Sequence, residues 1–169
     1  MKTRSIFFGF LALTAVFIFS CKKESGSAPI RILLTDNPAA YDSVNIHIVG
    51  MQVQISKDTN AWISIDVKDS MYNLLDLQNG ITTVLAQDTI PTGVLHEVRF
   101  ILGSDNTVVV NGTSYPLETP SAEESGLKVK IQKALNSTMN TFVLDFDAAA
   151  SVLEENGSYK LHPVIRLVP

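Results

Sequence analysis

The chain has 169 residues, of which 46% are hydrophobic and 18% are charged, and its formal net charge is −4. This length suits one domain with a hydrophobic core that needs no disulfide. Because the chain is acidic and has no basic stripe, the composition argues against nucleic acid as a partner.

The first 20 residues are predicted to be a signal peptide. Lys2 and Arg4 precede an almost wholly apolar run at 6–19, which is too short to cross a membrane as a helix. The run leads into the sequence IFSC, which resembles the lipobox of bacterial lipoproteins. The resemblance implies that Cys21, the single cysteine of the chain, becomes the acylated first residue of the mature protein and binds it to a membrane.

The rest of the chain is predicted to be a tether followed by one domain. Residues 21–29, CKKESGSAP, are polar and small, as in a flexible tether. From residue 30 onward, short runs with period two alternate with turn residues, which predicts a β-sandwich domain over 30–169. The predicted strands, in chain order, are 30–35, 44–56, 62–67, 72–77, 81–85, 94–102, 106–110, 113–118, 127–131, 141–146 and 159–168.

Two glycines mark local features of these strands. The apolar positions change parity at Gly50, as an inserted bulge residue requires when one face stays buried. Asn111-Gly112 between two apolar runs predicts a tight hairpin. A longer turn is expected at 88–93, where the sequence is DTIPTG.

Only one segment predicts a helix. Asp147 can cap a short helix over 148–155, which Asn156-Gly157 would end, and Pro163 favours an edge position or a bulge in the last strand. About ten short strands, one short helix near the carboxyl terminus and no βαβ rhythm predict an all-β fold. We expect an antiparallel β-sandwich of the immunoglobulin-like or prealbumin-like Greek-key type.

Five segments carry a family resemblance, and together they cover 30–168. They are LLTDNPAAYDSVNIHIVGMQV, NLLDLQNGIT, EVRFILGSDNTVVVNGTSYPLETPSAEESGLKV, FVLDFDAAASV and KLHPVIRLV. In this order they are similar to the bacterial family catalogued as domain of unknown function 4382. The resemblance implies a lipoprotein at the outer membrane of a Gram-negative bacterium, facing the periplasm or the cell surface. It implies no activity.

No residue pattern predicts catalysis. His47, His96 and His162 lack ligand spacing, so we expect solvated surface residues and no zinc site. No serine lies in a G-x-S-x-G elbow, and no glycine loop precedes a helix in a phosphate-binding arrangement. We therefore predict that the protein is not an enzyme. A small hydrolase that uses two carboxylates is the less favoured alternative.

Asp145 and Asp147 are the strongest local candidates for ion contact. Period two places both carboxylates on the same face of their strand, where they could contribute to a Ca²⁺ site. Three other aspartates could complete such a site if their loops converge: Asp36, Asp42 and Asp105. The favoured interpretation is structural, with Asp147 capping the helix and Asp145 paired with a base such as Arg99.

Arg99 and Trp62 are the candidates for ligand contact. By alternation Arg99 points away from the core, where it could form a cross-strand ion pair or touch a ligand. Trp62 could form a sugar-stacking platform with some of the four tyrosines, although a lone tryptophan in a sandwich is more typical of the core. The tyrosines are Tyr41, Tyr72, Tyr115 and Tyr159.

The leading functional hypothesis is a non-enzymatic lipoprotein that acts as a binding or accessory module at the cell envelope. Its partners would be the membrane, through the lipid on Cys21, and a glycan or protein ligand. A carbohydrate-binding component of a glycan-uptake system is the first alternative. No cofactor is expected unless Ca²⁺ binds at the aspartates.

Overall fold

The structure is a computed structural model that describes residues 26–56, 61–119 and 126–169. The described residues contain thirteen strands, one 3₁₀ helix at Leu74–Leu77 and one short helix, α1, at Ala148–Ser151. The strands are β1 (Ser27–Thr35), β2 (Ser43–Gln54), β3 (Ile63–Ile65), β4 (Ser70–Asn73), β5 (Thr83–Pro91), β6 (Val94–Leu102), β7 (Thr107–Val110), β8 (Thr113–Glu118), β9 (Leu127–Ala134), β10 (Asn140–Phe146), β11 (Val152–Glu155), β12 (Ser158–Leu161) and β13 (Ile165–Leu167).

These strands form two sheets. The small sheet has the order β13-β10-β1-β5, and the large sheet has the order β11-β12-β8-β7-β2-β6-β9, with β3 and β4 also paired to β2. The predicted all-β sandwich with one short helix near the carboxyl terminus is confirmed. Two pairs, β1 with β10 and β8 with β12, run parallel, so both sheets are mixed.

The core lies between the two sheets and follows the period-two pattern. In β1 every second residue from Ala28 to Leu34 is buried. In β2 the buried set is Val44, Ile46 and Ile48 before the glycine and Met51 and Val53 after it. The register with β6 shifts between Ile48 and Gly50, which confirms the predicted bulge. Each such side chain contributes about 1.5–3 kcal/mol through burial.

The Asn111-Gly112 hairpin is also confirmed. Both residues have positive φ, 50° and 75°, as a two-residue turn of type I′ requires, and they join β7 to β8. Asn156-Gly157 has a similar pair of angles, 53° and 80°, and joins β11 to β12.

The prediction of a helix over 148–155 is wrong in its second half. Only Ala148–Ser151 is helical, and the following residues form β11, where Val152 lies opposite Leu161. A helix of two turns is marginal by itself, so pairing with β12 outweighs helix propensity. The predicted last strand, 159–168, is divided around Pro163 into β12 of the large sheet and β13 of the small sheet.

Other boundaries also differ from the prediction. The segment 72–77 is not one strand, because Asn73 ends β4 and its side chain caps the 3₁₀ helix by accepting from the Leu75 N–H at 3.3 Å. The segment 88–93 is not a loop, since β5 continues to Pro91 at the edge of the small sheet, where a missing N–H is tolerated. β1 begins at Ser27, so 27–29 belong to the strand and not to the predicted tether.

The predicted signal peptide and Cys21 lie outside the described residues. No helix within the described ranges is long and apolar enough to cross a membrane.

Candidate functional site

Five polar side chains meet where β1, β10 and β13 lie side by side, and we call them the acidic cluster: Asp36, Asn37, Asp145, Asp147 and Arg166. Because β1 and β10 are parallel, the residues that follow β1 lie beside the end of β10. Asn37 Nδ2 donates to Asp145 Oδ2 at 2.9 Å and to Asp147 Oδ2 at 3.3 Å. Arg166 Nη2 lies 2.8 Å from Asp145 Oδ2 and 3.5 Å from Asp147 Oδ2.

Asp36 is the buried member of this cluster. It is 4% exposed, and its Oδ1 accepts from the Ala148 N–H at 2.8 Å. Its Oδ2 and the Oδ1 of Asp145 are buried and have no hydrogen bond of normal geometry in the described part of the chain, although the Gln78 amide lies near enough to Asp36 to oppose the rise in its pKa. Burial, with a smaller contribution from the charge of Asp145, raises the pKa of Asp36 to about 6 against the Ala148 hydrogen bond. The cluster thus holds a carboxyl that titrates near neutral pH.

The contacts of the cluster show the structural roles of Asp145 and Asp147. Asp147 caps α1, since its Oδ1 accepts from the Ala150 N–H at 2.9 Å. Asp145 does pair with a base, as the structural interpretation expected, but this base is Arg166 and not Arg99.

The other proposed calcium ligands are dispersed. Asp42 accepts from the Gly112 N–H at 2.7 Å in the β7–β8 turn, and Asp105 contacts a histidine of β2. Across residues 26–56, 61–119 and 126–169, no group of three or more His, Cys, Asp or Glu side chains is arranged to hold a metal ion. Calcium binding therefore stays a prediction.

A second polar site lies on the outer face of the large sheet, and we call it the Trp62 face. Cross-strand pairing places Ser64 opposite Gln52, Gln52 opposite Arg99, and Arg99 opposite Lys128, so four strands contribute one row. The Trp62 ring lies over this row, with its centroid 4.4 Å from the Arg99 guanidinium carbon and 5.8 Å from Lys128 Nζ. These are cation–π distances.

The ring is held in place from the sheet side. Arg99 also donates through Nη2 to Gln52 Oε1, and Gln52 donates to Ser64 Oγ at 3.3 Å. Trp62 is half-buried and lies outside the core, contrary to the commoner role of a lone tryptophan. The tyrosines do not join it: Tyr115 and Tyr159 pack on each other with centroids 5.0 Å apart.

A third cluster was missed at the sequence level. His47 on β2 lies between two carboxylates, with Nε2 at 2.6 Å from Asp69 Oδ1 and Nδ1 at 2.6 Å from Asp105 Oδ1. These hydrogen bonds raise the pKa of His47, and the bond to Asp105 has the larger effect. The bond between His47 and Asp105 also lowers the pKa of Asp105. Since Asp69 and Asp105 are 22 and 58 residues away from His47 in the sequence, no local motif predicts this cluster.

A cleft of about 380 Å³ opens between the end of β9 and the start of β10. It is lined by Lys133, Ala134, Asn136, Met139, Asn140, Thr141, Phe142, Leu167, Val168 and Pro169. Asn140 Nδ2 donates to the Pro29 carbonyl at 3.0 Å, which places the cleft beside the start of β1.

Comparison with known proteins gives a family and one distant structural likeness. The model of the family described as domain of unknown function DUF4382 matches residues 27–163. No curated protein matches the chain. A crystal structure of a Bacteroides fragilis protein, proposed to act in cell adhesion, is similar at 10% identity and a TM-score of 0.34. The likeness covers 84% of this chain but only 45% of that protein, and at this TM-score it carries no functional argument.

Proposed function

Since the chain belongs to the DUF4382 family, whose function is unknown, we propose its function from its own residues: a non-enzymatic, lipid-anchored binding or accessory module at the outer membrane of a Gram-negative bacterium. The anchor is the lipid on Cys21. The β-sandwich is the part that meets a glycan or protein ligand, on the periplasmic or cell-surface side.

The observation that carries this proposal is the exposed apolar surface at the end of the sandwich where β1 begins, which we call the tether end. Gly26 accepts there from the Thr92 N–H at 2.8 Å, next to the start of β6. Two of the large apolar side chains that are exposed lie at this end, at Val94 and Met139. The four residues between Cys21 and Gly26 give five Cα–Cα steps, which reach about 17 Å at most. An apolar end held this close to a bilayer suits a membrane-facing position.

The anchor is tested by labelling cells with a radioactive fatty acid and separating membrane from soluble fractions. We expect the wild-type protein to be labelled and membrane-bound, because two or more acyl chains make release very slow. The Cys21→Ser variant should lose the label and leave the membrane fraction. Ser20→Ala, which keeps a small residue before the cysteine, is the matched control and should stay labelled. An unlabelled wild-type protein, or a labelled Cys21→Ser variant, would contradict the anchor.

Two observations bear on the alternatives. The half-buried Trp62, with its ring held over Arg99, favours the carbohydrate-binding alternative, because an aromatic ring fixed on a polar face suits a sugar. The His47 site supports the hydrolase less well. Both ring nitrogens of His47 are engaged by carboxylates, so neither is left to activate a nucleophile.

A further inference from the structure

The Trp62 face differs in charge from the rest of the molecule. Arg99, Lys128 and Lys130 point outward from it, and Glu97 is the acidic residue among them, as the pairing of Glu97 with Lys130 and of Arg99 with Lys128 requires. Among the described residues that strand pairing places on this face, positive charges outnumber negative ones by two, whereas the whole chain has a formal charge of −4. Positive potential concentrated on an acidic protein selects anionic ligands.

The same face offers a fixed aromatic surface. Trp62 precedes β3, and continuation of the β2–β3 register puts it opposite Gln54. Gln54 is on the outer side of the sheet but only 7% exposed, so this part of the outer face is covered. The Arg99 guanidinium lies over the ring at 4.4 Å from its centroid, and the Trp62 side chain remains partly exposed.

We propose that the Trp62 face binds an acidic saccharide, in which the sugar rings carry carboxylate or sulfate groups. The apolar side of a pyranose ring stacks on the exposed part of the indole. Hydroxyl groups bond to Gln52 and Ser64, and the acidic group pairs with Lys128 and Lys130. This inference rests on the binding role proposed above and names the class of ligand for that role.

Neutral saccharides and anionic lipids fit this face less well. A neutral sugar has no charged group to pair with Lys128 and Lys130 of β9. A site for a lipid surface would have exposed aliphatic side chains around its basic residues. The row Ser64, Gln52, Arg99 and Lys128 is instead polar throughout, and an aromatic ring beside few well-placed polar groups is typical of a small-ligand site.

The test is calorimetric titration of the full-length protein in detergent with a hexamer of galacturonic acid, a sulfated hexasaccharide, and the methyl-esterified galacturonate hexamer. The ester keeps the rings and removes the charge. We expect at least one acidic hexamer to bind, and the ester to bind at least about tenfold more weakly than the galacturonate if the latter is bound. Affinity for the acidic ligand should fall with added salt.

Two variants locate the site. Trp62→Ala should weaken binding about tenfold or more through loss of the stacking surface. Lys128→Glu should weaken it to a similar extent and reduce its dependence on salt, and it tests the face even if Trp62→Ala fails to fold. Lys133→Glu is the matched control, because it makes the same charge change on β9 but lies in the cleft. Its affinity should equal that of the wild type.

Several outcomes would overturn the inference. They are no binding of either acidic hexamer, equal binding of galacturonate and its ester, unchanged affinity in Lys128→Glu, or binding only to vesicles of phosphatidylglycerol. The lipid-labelling experiment on Cys21 is independent of all of them. If the protein is labelled normally but binds no acidic saccharide, the proposed ligand is wrong and the proposed lipid-anchored module still stands.

Discussion

The buried carboxyl of Asp36, with its raised pKa, makes the stability of the fold depend on pH. Its Oδ1 holds the start of α1 while its Oδ2 is buried and has no hydrogen bond of normal geometry in the described part of the chain. The sequence could predict that Asp147 caps the helix, because a cap is a local pattern. It could not predict the burial of Asp36, which follows a strand and precedes Asn and Pro as turn aspartates commonly do.

Asp36→Asn is expected to stabilise the protein at neutral pH. The folded pKa of about 6 lies above the ordinary value of 3.8, so the folded state binds more protons than the unfolded state between these values. Stability from this group is therefore greatest below pH 4, falls as the pH rises to 6, and stays reduced above it. Asparagine keeps the acceptor for the Ala148 N–H and carries no charge.

The gain of Asp36→Asn over the wild type should be well below 1 kcal/mol at pH 4 and about 3 kcal/mol at pH 8, since the pKa is raised from 3.8 to about 6 and each pKa unit corresponds to about 1.4 kcal/mol. Urea unfolding at both pH values measures it. Asp66→Asn, at an exposed aspartate, is the control and should show no such growth with pH. A pH-independent difference for Asp36→Asn would refute the buried ionisation.

At the scale of an element, the two bulges of the large sheet were not equally visible in the sequence. The bulge in β2 could be predicted because Gly50 interrupts an otherwise clean alternation. The bulge in β9 lies at Gln132, whose φ is 54°, and the register with β6 shifts beside it. Glutamine is no marker of a bulge, so the predicted strand ended at 131, where the alternation breaks, although β9 continues to Ala134.

Gln132→Gly should raise the free energy of unfolding by about 0.5–1 kcal/mol. A left-handed backbone costs a residue with a side chain about 1–2 kcal/mol, and glycine avoids this cost. Part of the gain is offset because glycine loses more conformational entropy on folding. The lost contacts of the Gln132 amide with the His96 carbonyl at 3.3 Å and with His96 Nδ1 at 3.4 Å are exposed and weak. Chemical denaturation measures the change. Gln132→Ala loses the same contacts but keeps the strained backbone, so it should be no more stable than wild type. If the Gln132→Gly variant is less stable than the Gln132→Ala variant, backbone strain at this position does not dominate the change in stability.

At the scale of the whole molecule, the pairing of distant strands is what the sequence could not supply. Period two predicted most strands and the sandwich, because alternation reports burial on one face. It carries no information on partners, so the parallel pairing of β1 with β10, for example Ile30 beside Asn140, was not foreseen. The Trp62 face depends on the same long-range pairing, which unites Gln52, Arg99 and Lys128 from three strands.

The central place of β1 makes a sharp prediction about where the folded unit begins. β1 is hydrogen-bonded to β10 on one side and to β5 on the other, and Ala28 and Ile30 are fully buried. A chain starting at Gly26 should therefore keep the Tm of the chain that starts at Cys21, within about 1 °C.

A chain starting at Arg31 loses both buried side chains and the first pairs of two ladders. Since marginal stability is about 5–15 kcal/mol and a buried isoleucine alone contributes up to about 3 kcal/mol, cooperative unfolding should be lost or its Tm lowered by more than 10 °C. Differential scanning calorimetry of the three chains decides the matter. Equal Tm values for the chains starting at Gly26 and Arg31 would show that residues 26–30 are dispensable, and β1 would then hold its place between β10 and β5 through residues 31–35 alone.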